Sequence, residues 1–281
     1  MEPAAFAACF SQPIGPGGAY GPPPYLYRGV EDIFIAFEAD RDNVESLLPP
    51  GLEAADDAPV CIAWGRRIPF SSFGPYNEAY VMIRVTLDGE TYLYQPFIFT
   101  DNEIPLVAGR EIWGYAKKLA VMERTSGGAG QPFGEQMLFT VERPRAQRLM
   151  TMSIVCETLA DPASLEDLPV LSMRLIPNAE AGRLPSVCEL VRLDVSAALR
   201  RSADDRPMLF TGRASLSMDG MSAVDPWHLL APTRVLQGWF GVYDFELTHG
   251  VVVKNYLDEP AVASASQGDR HVTAGDGHRS R

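Results

Sequence analysis

Residues 81 to 99 carry the strongest constraint on how this chain folds. Val81, Ile83, Val85 and Leu87 recur at every second position, Asp88-Gly89 follows, and a second β-prone run fills 92–99. A period of two puts successive side chains on opposite faces of a strand, and Asp-Gly supplies the positive φ angles of a tight hairpin turn. The stretch reads as an antiparallel hairpin. Further short strands are expected at 30–37, 136–142, 149–157, 171–176, 186–195, 208–217 and 234–247. Helices are few. Asp40 can cap a short one through Val44, Leu47 and Leu48 that Pro49-Pro50 stops, and others are expected near 103–112 and 225–231. Many antiparallel strands with a few helices predict an α+β protein or a closed, barrel-like sheet.

The ends of the chain differ from its middle. Residues 1–25 hold Pro13, Gly15, Pro16, Gly17, Gly18, Gly21 and Pro22-Pro23-Pro24, which resist helix and sheet and predict an extended arm. Residues 258–281 are rich in Ala, Ser, Gly and charge, with too few large apolar side chains to offset the entropy of ordering, and predict a disordered tail. Residues 26–257 show neither an internal repeat nor a linker of similar composition. They read as one domain, with the Gly-rich stretch 126–130 as a loop inside it.

Composition excludes several functions. A net charge of −12 argues against a nucleic-acid partner, because phosphate neutralisation needs a basic surface. No apolar run approaches the roughly 20 residues that cross a bilayer, so no membrane partner is expected. Cys9, Cys61, Cys156 and Cys188 lie far apart with no cationic-then-apolar leader before them, and are read as reduced cysteines of a cytoplasmic protein. There is no phosphate-binding loop and no nucleophile elbow. Glycines 15, 17, 18 and 21 do not fit a dinucleotide fingerprint, and His228 and His249 sit in no metal-ligand spacing. Neither a metal nor an organic cofactor is expected.

The basic residues are the informative ones. Of 24, only Lys117, Lys118 and Lys254 are lysines, and two of the three are adjacent. Neighbouring ammonium groups repel, and burial disfavours charge, so both effects favour the neutral amine. A neutral lysine can attack a ketone and form a Schiff base. A solvated pair of surface cations is the plainer reading. Against it, arginine replaces lysine almost everywhere else, and arginine cannot be deprotonated.

The segment Gly109-Arg110-Glu111 followed by Tyr115-Ala116-Lys117-Lys118-Leu119 resembles the active-site segment of the acetoacetate decarboxylase family. Tyr76-Asn77-Glu78, Ile176-Pro177-Asn178, Cys188-Glu189-Leu190, the Pro23-Pro24-Tyr25 start and the Tyr256-Leu257 end extend the likeness over roughly 19–257. The resemblance implies an α+β fold on a closed antiparallel, barrel- or cone-like sheet with a few short helices, and a homo-oligomer whose N-terminal arm contacts a second subunit. It implies Lys117 as the Schiff-base residue, Lys118 as the cation that keeps its amine neutral, and Glu78 as the acid that handles protons. A small keto acid is the implied substrate, with Arg28, Tyr76, Arg110, Trp113 and Tyr115 as substrate-binding candidates.

This chain also departs from the family. Counting back from Glu78, the second active-site glutamate of the family falls on Ala63 and the arginine of its first strand on Val30. Arg28, two residues earlier, is expected to share a strand face with Val30 and stand in for the missing cation. Decarboxylation of an acetoacetate-like β-keto acid is the leading expectation. Aldol addition, dehydration or cyclisation of a 2-oxo acid through the same imine is the alternative, and a non-catalytic ligand-binding protein is a third reading from another class.

Overall fold

The computed structural model of the protein describes residues 10–13, 17–125, 133–218 and 220–258. The expected loop at 126–130, the tail beyond 258 and the first nine residues of the arm lie outside the described residues. Among the described residues, sixteen strands form one sheet: β1 (Tyr25–Glu38), β2 (Glu53–Ala54), β3 (Val60–Ile68), β4 (Phe70–Ser71), β5 (Tyr76–Leu87), β6 (Glu90–Thr100), β7 (Lys117–Leu119), β8 (Val121–Thr125), β9 (Gln136–Glu142), β10 (Arg148–Leu159), β11 (Val170–Ile176), β12 (Val187–Leu193), β13 (Ala198–Leu199), β14 (Leu209–Ser217), β15 (Arg234–Leu247) and β16 (Val251–Asn255). The main order is β16-β12-β11-β6-β5-β3-β1-β15-β14-β10-β9-β8, with β7 joined to β6. Helix α1 (Arg41–Glu45) is capped by Asp40, whose side chain accepts from the Asn43 amide, and α2 (Glu103–Ala108) by Asn102 in the same way from Ile104.

The hairpin forms as expected. Asp88 at φ 51° and Gly89 at φ 84° make the turn, and Leu87 pairs with Glu90 across it. Every other expected strand is present within a residue or two of its bounds, apart from β1, which starts five residues earlier than 30. The helix expected at 103–112 is α2 running into a π-helical turn at Gly109–Trp113, and the one near 225–231 is a single 3-10 turn at Trp227–Leu230. Among the described residues no helix is long and apolar enough to cross a membrane.

Both faces of the central strands are buried. Ile33, Ile35, Cys61, Ala63, Val81, Ile83 and Phe99 belong to one apolar cluster, while Tyr76, Tyr80, Met82 and Ile98 belong to a second on the opposite face. The sheet bends enough for β9 and β10 to pack over β3: a methyl group on Gly65 would lie 2.6 Å from the Phe139 ring and 2.7 Å from the Met152 sulfur. The bend does not close the sheet, which corrects the expectation of a closed barrel. Its end strands β8 and β16 are five residues each and pair only with β9 and β12, respectively. A closed barrel needs a continuous hydrogen-bonded stagger around the ring. Between β6 and β11 the ladder is reduced to two parallel pairs, Leu93 with Val170 and Tyr94 with Leu171.

The described part of the arm folds back on its own chain. Ser11 bonds to Tyr20, and the Tyr20 hydroxyl donates to the Glu111 carboxylate on the π-helical turn. That turn ends at Gly114, whose φ of 81° is left-handed and whose missing Cβ would sit 2.3 Å from the Arg174 Cα on β11. An alanine there meets both a disfavoured backbone and a backbone clash. Gly114→Ala is expected to cost about 2 kcal/mol or more, read as a lowered Tm or loss of soluble protein. A Tm unchanged within about one degree would contradict this packing.

Candidate active site

Strand β5 shows how the site is built. Val81, Ile83, Val85 and Leu87 face one core, so the alternate residues Glu78, Tyr80, Met82 and Arg84 face the other way and line a cavity of about 580 Å³. On β3 the same phase brings Ile62, Trp64 and Arg66 to that cavity, and on β1 it brings Asp32 and Phe34. The cavity volume lies in the range of small-molecule sites.

Lys117 is the first residue of β7 and pairs in parallel register with Ile98 of β6. Its approach is shaped by the π-helical turn: the Tyr115 amide donates to Gly109, the Lys117 amide donates to Tyr115, and Arg110 donates to the Lys117 carbonyl at 3.2 Å. The lysine stem passes over Gly109, where a Cβ would lie 2.7 Å from its Cδ. The side chain is 6% exposed, and its Nζ lies 2.5 Å from Glu78 Oε1, itself on a side chain 7% exposed. The amine sits 5.8 Å from the ring centres of both Tyr76 and Tyr115. Burial, reinforced by the Glu78 charge, holds both phenols well above their ordinary titration range, so they are neutral hydrogen-bonding groups. Tyr27, raised in the same way, shares a 3.0 Å hydrogen bond with Tyr76.

The structure does not bring the two lysines together. Successive residues of a strand point to opposite faces. Lys118 accordingly donates to the Val224 carbonyl and, at 2.7 Å, to Asp225, whose other oxygen takes a 3.0 Å bond from Arg143. Glu78 and Tyr115 line the cavity with Lys117. Tyr76 stands beside the amine without lining that cavity, and Arg110 holds only the Lys117 backbone. Trp113 is buried, donates to the Thr248 carbonyl at 2.9 Å and packs against Tyr25 and Tyr115.

Arg28 is not on the cavity face. A bulge between Tyr27 and Val30, with Gly29 at φ 64°, shifts the period of β1. The Arg28 guanidinium is spent on the carbonyls of Tyr27 and Phe245 and on Glu246. Val30 and Ala63 are fully buried in apolar clusters. The guanidinium beside Glu78 in the cavity is that of Arg66, which the sequence reading missed. Its Nε and Nη2 grip the two oxygens of Asp32 at 2.8 and 2.7 Å, and its guanidinium lies 5.3 Å from the Tyr80 ring and 5.1 Å from that of Phe245. Burial alone would lower its pKa, but Asp32, with Tyr80 and Glu78 beside it, more than offsets this, so the group stays charged. One signal was available: Asp32 interrupts an apolar strand, and a carboxylate so placed demands a partner. Among the described residues no group of three or more His, Cys, Asp or Glu is arranged to hold a metal ion.

Comparison with known proteins adds independent findings. Residues 11–257 match the family model described as Acetoacetate decarboxylase (ADC). The chain is 30% identical over 259 residues to an acetoacetate decarboxylase of Chromobacterium violaceum, covering 90% of this chain and 96% of that protein. It is 25% identical to the crystal structure of acetoacetate decarboxylase from Legionella pneumophila, with a TM-score of 0.75 and coverage of 88% and 94%. The enduracididine biosynthesis enzyme MppR complexed with pyruvate shares the fold at a TM-score of 0.70 and 21% identity, with coverage of 88% and 98%.

The placement of Lys118 makes one expectation testable. If its charge acted on Lys117, Lys118→Met would favour the ammonium form of Lys117 and move its reactivity to higher pH. With the two side chains on opposite faces, reductive alkylation of Lys117 followed by mass spectrometry is expected to keep its pH profile. The same variant should lose about 1 kcal/mol of stability through Asp225.

Proposed function

The chain belongs to the acetoacetate decarboxylase family of lyases, and from that premise we propose that it acts on a keto acid through a Schiff base on Lys117. The observation that carries this reading is the buried contact between the Lys117 amine and Glu78. Glu78 takes the ammonium proton, and the freed amine attacks the ketone carbon. Loss of water leaves a protonated imine. In a β-keto acid the bond to the carboxylate then breaks, its electron pair moves into the imine to give an enamine, and carbon dioxide departs. Protonation of the enamine carbon and hydrolysis by water release the ketone and the free lysine.

The remaining groups have roles in the same scheme. Asp32 occupies Nε and Nη2 of Arg66, leaving Nη1 as the donor available to a substrate carboxylate. The neutral phenol of Tyr115 can donate to the carbonyl or carbinolamine oxygen. A second reading, aldol addition or dehydration through the enamine of a 2-oxo acid, is favoured by the cavity volume, which leaves room for a second carbonyl compound.

Borohydride reduction in the presence of acetoacetate or pyruvate is expected to add the mass of a reduced adduct to the intact protein, at Lys117 alone, and Lys117→Arg should abolish it. Absence of an adduct with every keto acid tried would overturn the reading. Carbon dioxide release from the β-keto acid separates the two reactions. Gly109→Ala is expected to push the lysine off Glu78 and slow adduct formation at least about tenfold while the Tm falls only a few degrees. An unchanged rate would show that the position of the stem is not critical.

A further inference from the structure

Cross-strand register orders the cavity wall into rows. Asp32, Arg66 and Glu78 form one row across β1, β3 and β5. The next row is Trp239, Phe34, Trp64, Tyr80 and Ile98, and it ends at Lys117, the partner of Ile98. Its rings stack side by side, with centroids 5.3 Å apart from Trp239 to Phe34, 5.8 Å from Phe34 to Trp64 and 5.2 Å from Trp64 to Tyr80, all within 17° of parallel. Rings stacked along a row of strands stand upright from the sheet. They therefore present their edges, the positive part of the aromatic quadrupole, to whatever lies over them, and an electron-rich π face is the natural complement. Acetoacetate has only a methyl group beyond its ketone and leaves this wall in contact with water.

A second feature is independent of the first. Gln95 lines the same cavity, is 4% exposed, and its Oε1 is buried without a hydrogen-bond partner. It lies where the β5–β6 ladder slips between Val81 and Ile83, three residues before Ile98 and so roughly 10 Å along β6 from the lysine row. An unmet buried polar group destabilises the empty site, and a ligand that bonds to it recovers that cost.

We propose that the substrate is a keto acid bearing an aryl group with a hydroxyl or similar polar substituent on its far side, and that Gln95 is the residue that selects it. The ketone meets Lys117, the ring lies against the upright edge of Tyr80 nearest the lysine, and the distal oxygen points along β6 to the Gln95 amide. The inference rests on the imine reading for the ketone end. The aryl end rests on the wall and Gln95.

The test compares acetoacetate, benzoylacetate and 4-hydroxybenzoylacetate, with pyruvate, phenylpyruvate and 4-hydroxyphenylpyruvate as the 2-oxo series. Each is titrated by borohydride trapping and, separately, by quenching of tryptophan fluorescence, since Trp64 and Trp239 line the cavity. The hydroxyaryl acids are expected to half-saturate at least about tenfold below the short acids. Gln95→Leu should raise their half-saturating concentration about tenfold and leave the unhydroxylated aryl acids within about twofold. That second acid is the control for the integrity of the variant. Short acids saturating below aryl acids, or a Gln95→Leu effect equal for all, would overturn the proposal while leaving the imine intact. Quenching by the hydroxyaryl acids with no adduct from any acid would support the ligand class and sink the imine reading instead. Neither quenching nor adduct overturns both.

Discussion

A lysine enclosed almost completely by protein cannot remain charged without a partner, and the pairing of Lys117 with Glu78 is the constraint around which this structure is arranged. Taking an ion out of water costs several kcal/mol, and only a well-placed counter-charge returns it. The two residues come from separate strands joined by β6: Glu78 sits opposite Thr100, and Lys117 opposite Ile98. The π-helical turn, left-handed Gly114 and the absence of a side chain at Gly109 make the passage.

The second buried charge obeys the same rule one row away. Arg66 and Asp32 satisfy each other with two hydrogen bonds, and the aromatic rings of Tyr80 and Phe245 flank the guanidinium. Two ionic pairs thus share one end of a cavity whose remaining wall is largely apolar. A low-dielectric wall strengthens the fields of both pairs and gives organic substrates a surface to bury.

Much of this was legible in the sequence, for a local reason. Period-two alternation in 81–87 fixes which residues of β5 share a face, so the run that announces the hairpin also announces that Glu78, Tyr80, Met82 and Arg84 point together to the other side. Lys117 stood out because lysine is scarce, and Glu78 because its spacing resembled that of a known family. Arg66 was missed because β3 was not recognised: its Gly65-Arg66-Arg67 segment looks polar until Asp32 is set beside it. Arg28 was placed on the wrong face because a bulge changes the phase of a strand, and its cause here, Gly29 at positive φ, resembles any other glycine in a linear reading.

By itself the sequence determined the strand-rich class, the hairpin, the cap at Asp40 and the candidacy of Lys117, since each depends on residues close in the chain or on residue type. Tertiary structure decided the partners. Lys118 found Asp225 at a separation of 107 residues, Arg66 found Asp32 at 34, and Gln95 lines the cavity with its Oε1 buried and unpartnered. The same holds for the sheet, which bends over its own core yet remains open because β8 and β16 pair on one side only. Register between distant strands is set by the packing of whole faces, and a single residue's shift exchanges the face that meets the core for the face that meets the ligand.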